Sequence, residues 1–162
     1  MSIPGLMHVI EAQRYSMAIA RSPWMFPALE TVHVFALTLV VGSVGLIDLR
    51  LLGLSFRDRS VRELCASVLP WTWGAFAVAG SCGALLFSSK ATLYYTNLPF
   101  RLKMLGLLLA ALNMLVFHAI TARNLHRWDQ GVPPLAARLA GGISLTLWIA
   151  IVAAGRWIGF TT

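Results

Sequence analysis

The side chains in this chain best suited to chemistry are its histidines, His8, His33, His118 and His126, and two of them, His33 and His118, lie inside long apolar runs. Imidazole titrates near neutrality and is the usual axial ligand of a haem held between helices, so these positions point to proton transfer or metal ligation. Glu30 stands one helical turn before His33, where a carboxylate can orient a ring nitrogen. On a helix, Glu30, His33, Leu37, Val41, Val44 and Asp48 share one stripe. An ionisable residue inside a membrane span costs a few kcal/mol, so this stripe should face a bundle interior, a cofactor or water rather than lipid.

Two ligand sets follow. In the first, His33 and His118 bind b-type haem, and Arg50, Arg101 and Lys103 meet its propionates. With span midpoints near residues 36 and 113, the two imidazoles differ in depth by ~12 Å at 1.5 Å per residue. A haem shared by both therefore needs a steep helix tilt. Otherwise each histidine takes its second ligand elsewhere: His8 at one side, or His126 or a methionine at the other. In the second set, Met104, Met114 and His118 on one stripe, with Cys82 on a neighbouring helix, suit Cu(I) through soft donors. The bland alternatives are that His33 and His118 are hydrogen-bonded packing residues, that the methionines fill gaps, that Asn113 is interhelical glue, and that Asp48 and Arg50 pair to pin a helix end.

These residues are positioned by apolar runs. At 162 residues the chain has the length of one domain, but 58% hydrophobic and 12% charged residues are membrane composition. Mean hydropathy is +0.75. Residues 22–47 hold one formal charge, Glu30, and at 1.5 Å per residue they exceed a hydrocarbon core of ~30 Å. Spans are expected at about 24–47, 70–89, 100–122 and 136–158. An interfacial helix is expected over about 3–21, and the Ser60-Val61-Arg62-Glu63 capping box opens a short amphipathic helix over about 61–69. Ala75, Ala79 and Gly83 form a small-residue seam, and Gly42 and Gly45 leave room for a neighbour or a flat cofactor. The expected fold is all-α: one domain, a polytopic four-helix up-down bundle with an uncleaved first helix.

The net charge of +7 comes from arginines in short clusters between spans, which excludes a nucleic-acid surface and fits topology and headgroup contact. Arg50, Arg57, Arg59, Arg62, Arg123, Arg127 and Arg138 outnumber Arg14, Arg21, Lys90 and Arg101, placing both termini on the periplasmic side of a bacterial inner membrane. Cys65 and Cys82 lie at different depths, which disfavours a disulfide. The chain has no HExxH, phosphate-binding glycine loop or GxSxG, so stand-alone catalysis lacks equipment.

The segments Ser22-Pro23-Trp24, Pro27-Ala28-Leu29-Glu30-Thr31-Val32-His33-Val34 and Asp48-Leu49-Arg50-Leu51-Leu52-Gly53, then Leu69-Pro70-Trp71, Lys103, Asn113 and Phe117-His118, resemble a bacterial family of small four-helix inner-membrane proteins of unassigned function. The architecture is also loosely similar to small b-type cytochromes and copper-resistance membrane proteins. The expectation is a haem-binding electron-transfer or membrane-anchor subunit working with a redox partner or as an oligomer. A copper-handling protein and a cofactor-free structural subunit stand as the alternatives.

Overall fold

The computed structural model describes residues 2–161, and among them all regular structure is helical. The elements are α1 (Ile3–Glu11), α2 (Arg14–Arg21), α3 (Met25–Leu51), α4 (Val61–Ser89), α5 (Ala91–Thr96), α6 (Leu98–Val116) and α7 (Leu135–Thr161). A π turn (Phe117–Thr121) and a 3-10 segment (Ala122–Arg127) prolong α6. Four helical segments are long and apolar enough to cross a membrane: α3, α4, α6 with its extension, and α7.

Local chemistry sets the helix ends. Ser60 caps α4, its Oγ accepting the Glu63 N–H at 3.0 Å, as the capping box requires. Asn97 caps α6 by accepting the Phe100 N–H at 3.0 Å, and its amide donates to the Thr161 hydroxyl at 2.9 Å, tying the start of α6 to the end of α7. Gly53, at φ +73°, closes α3 in the left-handed conformation that glycine adopts without steric cost.

Two expected boundaries differ. The capping-box helix and the second span form one helix, α4, with Pro70 inside it. Val61 and Leu64 are buried at its start and Ala75, Ala79, Cys82 and Leu86 farther along, so packing runs along the whole helix and outweighs the single donor that proline lacks. The interfacial segment breaks between Glu11 and Arg14, and α2 buries Ser16 and Ile19. A further short helix, α5, is fastened to α1 by Glu11, whose carboxylate accepts the Thr92 N–H at 2.8 Å and the Thr92 hydroxyl at 3.0 Å.

Helix α3 packs on both α4 and α7, and α7 packs on α6. One core layer joins Val40, Ala75, Trp148 and Ile151, with Leu107 and Ala110 of α6 against it. Phe87, Tyr94 and Phe100 stack with centroids 5.3–6.4 Å apart and join α4, α5 and α6. Both ends of the described chain lie at this end of the bundle, the terminal end. Opposite, at the arginine end, Leu51, Val61 and Ala137 form a second core layer.

Candidate functional site

Each spanning helix contributes to one polar site near the terminal end. His33 lies ~12 Å along α3 from its first residue, and Lys103 ~8 Å along α6, at 1.5 Å per residue. The His33 Nδ1–H donates to the Ala79 carbonyl of α4 at 2.8 Å. That fixes the tautomer and leaves the Nε2 lone pair facing the Lys103 Nζ, 3.4 Å away. Small residues make the room. A Cβ at Gly83 would stand 3.1 Å from His33 Cε1, and one at Gly155 of α7 would lie 3.7 Å from Lys103 Cδ and Nζ.

Among the described residues no carboxylate comes within ion-pair distance of Lys103, the pair so formed being His8 with Glu11 at 4.0 Å. Glu30 is exposed one turn from His33 and acts electrostatically both on that ring and on Tyr94. Tyr94 is outside the spans, and its phenol is pushed above its ordinary value, first by burial and then by the Glu30 carboxylate. The arrangement is an imidazole locked by a backbone carbonyl, a lysine amino group with no carboxylate partner among the described residues, and an acid and a phenol toward the surface.

The other candidates lie apart from this site. His118 sits in the π turn, exposed, with its Nδ1–H donating to Met114 O at 2.8 Å in its own helix. His8 is exposed on α1, and His126 lines a cavity of about 420 Å³ with Arg62, Arg127 and Asp129. Met104 and Met114 are exposed on α6, whereas Cys82 is buried on α4. Among the described residues no three His, Cys, Asp or Glu side chains converge as a metal site. Arg101 is exposed on α6.

Arg50 is 1% exposed, and its guanidinium donates to the carbonyls of Arg59 at 2.9 Å, Asp129 at 3.1 Å and Gly131 at 3.4 Å. Arg50 thus clasps two connections rather than pairing with Asp48, because side chains two residues apart on a helix point to different faces. Asn113 donates to Ala140 O at 3.0 Å, joining α6 to α7 as glue. Ala75 and Ala79 are buried, but among the described residues an added Cβ at Gly42 or Gly45 would meet nothing within 4 Å.

The His33–Lys103 contact is what the sequence reading missed. The signal available was that α3 and α6 run in the same direction, so ionisable residues early in each share a depth.

Fold and composition together define a multi-pass, all-α membrane protein built as a four-helix bundle. Residues 26–161 match a family of unknown function, DUF6644, and the chain belongs to that family. No curated protein and no solved structure matches it.

Proposed function

We propose that this chain is a proton-handling membrane subunit whose working centre is the His33–Lys103 pair. The observation that carries the reading is the double engagement of the His33 ring. Nδ1 is held by Ala79 O at 2.8 Å, and Nε2 accepts from a Lys103 ammonium that has no carboxylate partner among the described residues. Moving the shared proton from Nζ to Nε2 leaves an amine and an imidazolium, conserves charge and needs almost no motion. Glu30 and Tyr94 supply exchangeable positions toward the terminal end. Such a centre suits a redox-linked subunit, where reduction of a bound partner draws a proton. The arginine-rich end would face the cytoplasm of a bacterial inner membrane, with periplasmic termini.

A second reading, b-type haem on His33, is favoured by the Nδ1 tether itself. Metal-ligating histidines commonly donate their other ring N–H to a backbone carbonyl. It requires Lys103 to leave Nε2, for which a propionate would be the natural destination. It also needs an axial ligand other than His118, whose ring is turned to the exterior.

The test is proton flux into proteoliposomes under an imposed pH gradient, with an optical spectrum of the same preparation. Wild type should dissipate the gradient, and His33→Gln and Lys103→Met should not. Equal flux in all three would overturn the relay. A Soret band that shifts on dithionite and vanishes in His33→Gln would favour the haem reading.

A further inference from the structure

At the other end of α3, on the same stripe as His33, stands a second ionisable group. Asp48 is 3% exposed, and its Oδ2 has no hydrogen-bond partner. On α3, Arg50 directs its guanidinium to the carbonyls of Arg59, Asp129 and Gly131. On α7, the Ser144 hydroxyl lies beside the carboxyl, while Arg138 is exposed. On α4, Cys65 is a half-buried thiol of the neighbouring core layer, and Arg62 and Glu63 are exposed. The Asp129 carboxylate is occupied by the Arg62 backbone N–H at 2.9 Å. Among the described residues no cation forms an ion pair with Asp48.

The backbone closes over this carboxyl. A Cβ at Gly141 of α7 would lie 3.0 Å from both Asp48 O and Leu51 Cβ, so α3 and α7 meet with no space to spare. A carboxylate sealed there without a counter-ion or enough donors costs far more than a neutral acid, which needs only the one hydroxyl beside it. From this burial, the orphaned oxygen and the diverted arginine, we infer that Asp48 is a proton-binding site, occupied in the resting protein. Its ionisation requires the α3–α7 contact to part and admit water. The bundle then carries protonatable groups on both sides of the apolar layer of Val40, Ala75, Trp148 and Ile151. This inference is independent of the His33–Lys103 reading.

The test uses the full chain in nanodiscs with carboxyl-13C aspartate, which labels Asp48, Asp58 and Asp129. At neutral pH one signal should lie at the carboxylic-acid position. It should be lost in Asp48→Asn, persist in His33→Gln, and move to the carboxylate position only on alkalinisation. Asp48→Asn should melt no lower than wild type, since a neutral amide replaces a neutral acid. Should that variant fail to insert, Asp58→Asn/Asp129→Asn leaves Asp48 as the sole label and gives the same reading. A carboxylate signal at neutral pH, or one that shifts on titration with sodium or potassium, would overturn the inference in favour of an ionised group or a bound cation.

Discussion

Replacing Arg50 by Met tests whether this arginine serves the fold or a cofactor. The guanidinium is 1% exposed and reaches carbonyls in both connections at the arginine end, Arg59 on one and Asp129 and Gly131 on the other. A hydrogen bond from a charged donor contributes about 1.5–3 kcal/mol. The contacts at 2.9 and 3.1 Å count fully and the one at 3.4 Å counts little, giving about 3–6 kcal/mol before relaxation. Methionine fills similar volume, so no large cavity term is added, and water entering the loosened connections offsets part of the loss. The expected destabilisation is about 3–4 kcal/mol, near what breaking a buried charged contact costs in general. Equilibrium unfolding in mixed micelles, followed by tryptophan fluorescence, reads it directly. Trypsin should also cut faster at Arg57 and Arg59 as their connection comes free. A loss below about 1 kcal/mol, under the worth of even one such bond, would refute the reasoning. Loss of a bound chromophore with unchanged unfolding would assign Arg50 to propionates instead.

Two glycine substitutions should act with opposite sign. Gly106→Ala puts a methyl 2.8 Å from Cγ1 of Ile151, itself 1% exposed, and should cost about 1–3 kcal/mol in the same unfolding assay. Gly42→Ala meets nothing within 4 Å and should stabilise α3 by about 0.5–1 kcal/mol. Because burial and Glu30 hold the Tyr94 phenol protonated above its ordinary value, the folded chain keeps a proton that the unfolded chain loses once pH passes ~10. Stability should therefore fall as pH rises through that window, and Tyr94→Phe should flatten the fall in an alkaline melting series.

The sequence by itself determined that the chain crosses a membrane in four helices, because span length and the absence of charge over it are linear properties. It also determined the Ser60 cap, read from neighbouring residues. His33 was legible as a candidate because an imidazole in an apolar run needs an explanation. Its partners were not. Lipid is as apolar as a bundle core, so the hydrophobic pattern of a spanning helix says little about which face turns inward. Helix α6 buries no residue fully and is apolar around its circumference, so nothing in its sequence aimed Lys103 at α3 rather than at a headgroup. Helix rotation and relative depth, set by the α3–α4, α3–α7 and α6–α7 contacts, brought Lys103 to His33, turned His118 away, and folded two connections onto Arg50. Those are relations between segments far apart in the chain, and only the packed structure decides them.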